Sequence, residues 1–98
     1  MFLVNLVVQI NINMNLSILT PDKELFSGEI TAVNVPGIKA PFQVLNNHAP
    51  IVSSLEKGEV TVKTSAGSEE IFSIESGFIE VLNNNISILA QPVKEEAK

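Results

Sequence analysis

His48 is the only histidine in the chain, so a histidine pair for a metal cannot form within one copy. Nucleophilic catalysis of the Ser–His–acid kind would need a serine held by His48 with an acid behind it. Ser53 and Ser54 are near in sequence, but no nucleophile-elbow motif surrounds them. The preferred reading is that His48 shapes a turn or contacts a partner. Loop residues often serve binding, and they serve catalysis only inside a full constellation. Glu69-Glu70 could be read as a metal pair, yet neighbouring strand residues point to opposite faces, so a solvated strand edge is the better account. Glu75 and Glu80 read as solvent-facing. Gly37 stands in neither a Gly-x-x-x-x-Gly-Lys-Ser/Thr nor a Gly-x-Gly-x-x-Gly pattern, so it carries no nucleotide-binding signal. No catalytic, cofactor-binding or metal-binding residue is assigned. The segment from Gly37 to Pro50 is long, partly apolar and holds His48, which makes it the expected binding surface.

The elements that would position this segment read as strands. From Ile10 to Ile18 apolar residues alternate strictly with Asn11, Asn13, Asn15 and Ser17, the mark of a strand with one buried face. Thr20-Pro-Asp-Lys23 supplies a turn. A second strand is expected from Leu25 to Val35, with Gly28 inside it as a bulge or close approach, and Pro36-Gly37 breaks it. A short strand fits Phe42 to Leu45, closed by Asn46-Asn47, residues that tolerate positive φ. Further strands are expected over Ile51 to Leu55, around Val60 and Val62, and from Ile71, with Gly77 interrupting before Phe78, Ile79 and Val81. Asn83-Asn-Asn85 turns the chain into Ile86 to Ala90. Short strands at this spacing predict an all-β fold, a flattened antiparallel β-sandwich or barrel of about eight to ten strands. All five phenylalanines are expected in the core.

Ninety-eight residues make one domain. The domain is placed at 14–90, with a leader at 1–13 and a short polar tail at 91–98. The apolar stretch Phe2 to Ile10 is far shorter than the ~20 residues of a membrane-spanning helix, and it lacks the basic region and cleavage site of a signal peptide. The leader is read as extended and dispensable for the fold, with Met14 a candidate start. A net charge of −5, with six scattered lysines and no arginine, argues against nucleic acid. With no cysteine there is neither a disulfide framework nor thiolate chemistry.

Three segments in order then resemble the epsilon subunits of bacterial and chloroplast ATP synthases, called delta in mitochondria. Leu16-Ser-Ile-Leu-Thr-Pro-Asp-Lys-Glu-Leu-Phe-Ser-Gly-Glu-Ile30 is similar to that family's opening strand, turn and Phe-Ser-Gly entry. Val35-Pro-Gly37, followed at matching distance by Asn47-His-Ala-Pro50, is similar to its Pro-Gly and Gly-His-Ala-Pro-Leu signature. Ser76-Gly-Phe-Ile-Glu-Val81 with Ile86-Ser-Ile-Leu-Ala90 is similar to its close.

The resemblance implies a ten-stranded flattened sandwich and a non-catalytic seat on the rotor's central stalk. There the domain would couple ion flow through the membrane c-ring to ATP synthesis. The implied partners are the gamma subunit, the polar loops of the c-ring and the rest of the complex. The membrane is met only through the ring, at the cytoplasmic face of the bacterial inner membrane. No cofactor is implied.

The implied ring-contact loop comprises Gly37, Ile38, Lys39, Pro41, Phe42, Asn47 and His48. Pro41 stands where many members carry an acid, and Lys39 adds a positive charge, so shape and apolar contact through Ile38, Pro41 and Phe42 are expected to carry more of the docking. Phe42 reads equally well as a buried residue. The eight residues after Ala90 are too few for the family's C-terminal helical hairpin. The expected role is therefore coupling without hairpin-type inhibition. The competing readings are a free-standing β-sandwich that binds a small ligand or peptide, and a small hydrolase centred on His48.

Overall fold

The computed structural model describes residues 13–93. Of the expected leader and tail, residues 1–12 and 94–98 lie outside it, as does Phe2. Seven strands follow one another without a helix among the described residues: β1 (Met14–Leu19), β2 (Glu24–Val35), β3 (Phe42–Val44), β4 (Ile51–Leu55), β5 (Gly58–Thr64), β6 (Glu69–Leu82) and β7 (Asn85–Pro92). Five of them close on themselves, in the order β1–β7–β6–β5–β2 and back to β1. β3 adds to the flank of β2, and β4 to that of β6.

Seven is fewer than the eight to ten expected, because two long strands each serve as two. β2 pairs β1 through Ile30, then passes a bulge and pairs β5 and β3. β6 pairs β5 up to Ile74, then pairs β4 from Gly77 onward on the same side. The result is a sandwich. One sheet holds β4, the second half of β6, β7, β1 and the first half of β2. The other holds the first half of β6, β5, the second half of β2 and β3. One expectation is corrected here: Gly77 does not interrupt a strand, since β6 runs through it. Another concerns direction: β1 and β7 run parallel, with Leu16 opposite Ile86 and Leu19 opposite Leu89, while the other pairs are antiparallel.

The period-two pattern fills the space between the sheets. Met14, Leu16 and Ile18 of β1 meet Ile86, Ile88 and Ala90 of β7 and Ile79 and Val81 of β6, all buried. Val33, Val35, Val44, Val60, Val62 and Ile74 do the same from the second sheet. Phe26 and Phe72 pack against this core with their rings edge to face, 6.1 Å between centroids. Phe78 departs from the expectation that every phenylalanine is core: it is 57% exposed. Strand geometry requires this, because Ile79 and Val81 point inward and the residues that alternate with them, Phe78 and Glu80, must point out.

The turns follow local chemistry. Asn83 and Asn84 form a two-residue hairpin loop, both at positive φ (51° and 64°), the conformation that matches the twist of the flanking strands. Asparagine tolerates it better than most residues because its short side chain bonds locally. Thr20 closes the β1–β2 turn: its amide donates to the Lys23 carbonyl at 2.8 Å and its hydroxyl accepts from the Lys23 amide.

Candidate functional site

The expected loop does not form one surface. β3 divides it into two parts that line different hollows. Gly37, Ile38, Lys39 and Phe42 border a hollow of about 320 Å³ together with Ser53 and Ser54. Asn47 and His48 border another of about 540 Å³, with Ala49, Pro50 and the turn Asn83–Asn85. Pro41 is exposed beside the first. His48 and the two serines therefore sit in separate places, and the Ser–His pairing of a hydrolase is not assembled.

In the first part, Pro36 and Gly37 are buried and stitched to the β4–β5 turn. The Glu56 amide donates to the Pro36 carbonyl at 2.9 Å, and Gly37 bridges Leu55. A Cβ on Gly37 would lie 2.6 Å from the Ala40 carbonyl oxygen and 2.8 Å from the Phe42 ring. Phe42 is half-buried against the core, so of its two readings the buried one describes its packing. Gly37 and Phe42 thus support the loop from beneath, and Ile38, Lys39 and Pro41 are what it offers to a partner. Gly37→Ala should lower stability by about 1–3 kcal/mol, because the ring must leave its place. A urea melt checks this, and an unchanged midpoint would show that the loop can yield.

The second part is held by a residue that sequence reading passed over. Asn84 is 5% exposed, the one buried polar side chain among the described residues. Its Oδ1 accepts from the Asn47 amide at 2.8 Å, and its Nδ2 donates to Asn46 Oδ1 at 2.8 Å. Its carbonyl accepts from the Asn15 amide at 2.9 Å, which ties the start of β1 to the same point. The loop it grips turns at Asn47 (φ 66°), and the His48 amide donates to the Leu45 carbonyl at 3.1 Å. The His48 Nδ1–H donates to the Ala49 carbonyl at 2.8 Å, which leaves Nε2 as an acceptor in the neutral ring. The signal in the sequence was the asparagine triplet, whose turn was legible but whose partner 37 residues away was not.

A third surface was not foreseen at all. Ser54 lies opposite Phe78, Phe78 opposite Leu89, and Leu89 opposite Leu19, so the outer face of the first sheet carries a row across four strands. Phe78, Leu89 and Leu19 are 57%, 54% and 37% exposed; the next row on the same face is Val52, 73% exposed, followed by Glu80, Ser87 and Ser17. Phe78, Leu89 and Leu19, with Pro21, line an apolar groove of about 640 Å³. The matching row on the outer face of the second sheet is Gln43, Asn34, Thr61 and Ile71, polar but for its last member, with Glu59 and Ser73 beside it. The two outer faces differ in kind, and a contiguous exposed apolar face marks an interaction site.

Comparison with known proteins agrees with this architecture. A profile described as "ATP synthase, Delta/Epsilon chain, beta-sandwich domain" matches residues 13–96. The chain is 44% identical to an ATP synthase epsilon chain of Chlorobium limicola over 78 residues, 80% of this chain and 89% of that one. It is 42% identical to that of Caulobacter vibrioides over 84 residues, 86% of this chain and 96% of the relative. A third relative, the epsilon chain of Salinibacter ruber, is 35% identical, and the match covers 60% of its length. Among solved structures, a chain of the Euglena gracilis mitochondrial ATP synthase (OSCP/F1/c-ring) has the same fold, with a TM-score of 0.78 at 20% identity. That match covers 85% of this chain and 53% of the other. A chain of the Tetrahymena thermophila mitochondrial ATP synthase central stalk and c-ring aligns with a TM-score of 0.68 at 19% identity, covering 80% and 63%.

Proposed function

The chain belongs to the ATP synthase delta/epsilon family, and from that premise we propose that it is a non-catalytic subunit of the enzyme's central stalk. It couples ion flow through the c-ring to ATP synthesis on other subunits. The observation that carries this reading is the contrast between an apolar outer face and a polar one on the same sandwich. A part that turns with a shaft must hold the shaft permanently, and permanent interfaces are apolar at their centre. The gamma subunit therefore docks on the face of Leu19, Phe78 and Leu89.

The ring contacts are of another kind. Ile38, Lys39 and Pro41 on one side of β3, and exposed Asn47 with half-buried His48 on the other, present loop residues suited to the polar loops of a c-ring. Pro41 stands where an acid would allow an ion pair and Lys39 adds a positive charge, so docking here relies on shape, apolar contact and hydrogen bonds. A sandwich closed by β1–β7 pairing is stiff enough to pass torque between the two surfaces, because every strand of its ring is bonded on both sides. The complex is membrane-associated, and on this reading the chain works at the cytoplasmic face of the bacterial inner membrane and meets the membrane only through the ring. Binding of the purified gamma subunit to the chain and to its Leu89→Asp variant tests the reading.

A further inference from the structure

We propose that Asn84 is a positioning residue for ring docking. It holds Asn47 and His48, together with the Asn83–Asn85 turn, as an uncharged hydrogen-bonding seat for a polar partner turn. This deepens the reading above and rests on it.

The seat is lined by Asn47, His48, Asn83, Asn84 and Asn85 with Ala49 and Pro50, and none of these carries an acid or a lysine. Amide side chains offer both donors and acceptors, and the His48 ring adds an acceptor at Nε2. The chemistry that fits is a tight turn with free main-chain N–H and C=O groups and no charged side chain at its tip. An ion would find no counter-charge there. Recognition by hydrogen bonds is directional, so it works only if the donors are held in place, and Asn84 holds them. One end of its amide grips the Asn47 main chain and the other grips the Asn46 side chain, while its own backbone sits in the hairpin turn between β6 and β7. Loop and turn are thereby one rigid body although 37 residues of chain separate Asn47 from Asn84.

Asn84→Gly tests this, because glycine keeps the positive φ and deletes the side-chain bonds to the Asn47 amide and to Asn46. The complex of the chain with its gamma subunit is titrated onto isolated c-ring in nanodiscs, and affinity for gamma is measured separately. The expected result is about a tenfold loss of ring affinity with gamma affinity unchanged. The loss caused by Asn84→Gly should also differ by less than about twofold between low and high salt, since screening weakens ion pairs and leaves neutral hydrogen bonds alone. If Asn84→Gly does not fold, Asn46→Ala removes one of the two bonds at an exposed residue and should show a smaller loss in the same direction.

Equal ring affinity in wild type and a folded variant overturns the inference and leaves the stalk reading standing. Equal loss for ring and gamma overturns it too, because that is a general structural defect. A loss from Asn84→Gly that changes steeply with salt overturns the uncharged seat. Failure of the wild-type complex to bind the ring at all overturns the stalk reading and this inference with it.

Discussion

Replacing Gly77 by Ala should lower the stability of the domain by about 3 kcal/mol, the upper end of the range for overpacking. A Cβ at this position would lie 2.5 Å from the Leu89 carbonyl oxygen and 3.2 Å from the Ala90 Cα. Both obstacles are backbone atoms of β7, so no side chain can swing aside. β6 and β7 must separate locally, which weakens their ladder where Gly77 lies opposite Ala90. Gly28 is the internal comparison. A Cβ there meets only the Phe26 ring, at 3.5 Å, an ordinary contact. Gly28→Ala should therefore stay within about 1 kcal/mol of wild type, and it gains from the reduced freedom of the unfolded chain. Urea melts with equal slopes measure both. Similar midpoints for the two variants would show that β6 and β7 are not as close as the structure has them.

Leu89→Asp should weaken gamma binding about a hundredfold and leave the fold intact. Leu89 sits at the middle of the apolar row, between Phe78 on β6 and Leu19 on β1. Covering a leucine removes apolar surface worth about 1.5–3 kcal/mol, and a carboxylate buried there has no partner, a further cost. Together these reach about 3 kcal/mol, which is a hundredfold in Kd. In the free domain Leu89 is 54% exposed, so the same change costs only the low strand preference of aspartate, under about 1 kcal/mol. Ile71→Asp is the control. Ile71 is similarly exposed, at 57%, but lies on the opposite, polar face, and its variant should bind gamma like wild type. If Ile71→Asp abolishes binding and Leu89→Asp does not, the two faces have been assigned the wrong way round.

What could be read from the sequence, and what could not, divides by the distance over which each cause acts. Alternation in Met14–Ile18 and Ile86–Ala90 reports a buried face, and the core residues of β1 and β7 were legible because that signal lies within one strand; the part of the expected first strand at residues 10–12 lies outside the described residues. Asn83–Asn85 was legible as a turn for the same reason. Gly77 was misread because a glycine that ends a strand and one that admits a neighbouring backbone look alike until the neighbour is placed. Phe78 was expected in the core although Ile79 and Val81 already fixed it outward; aromatic character was given more weight than period. The parallel pairing of β1 with β7 has no local signature. The division of the Gly37–Pro50 segment by β3, the grip of Asn84 and the Leu19–Leu89–Phe78 row all depend on register between distant strands. Family resemblance named the partners and the loop. It did not say which face meets gamma, and the proposal that the Leu19–Leu89–Phe78 row does so rests on the exposure of that row.

If this chain couples ion flow to catalysis, ATP-driven ion pumping must depend on it. Membrane vesicles carrying the enzyme depleted of this chain are supplied with it in purified form, and pumping per ATP hydrolysed is measured. Pumping restored by wild type, and not restored by Leu89→Asp at the same concentration, is the result this account predicts. Restoration by both, or binding of wild type with no change in pumping, would contradict it.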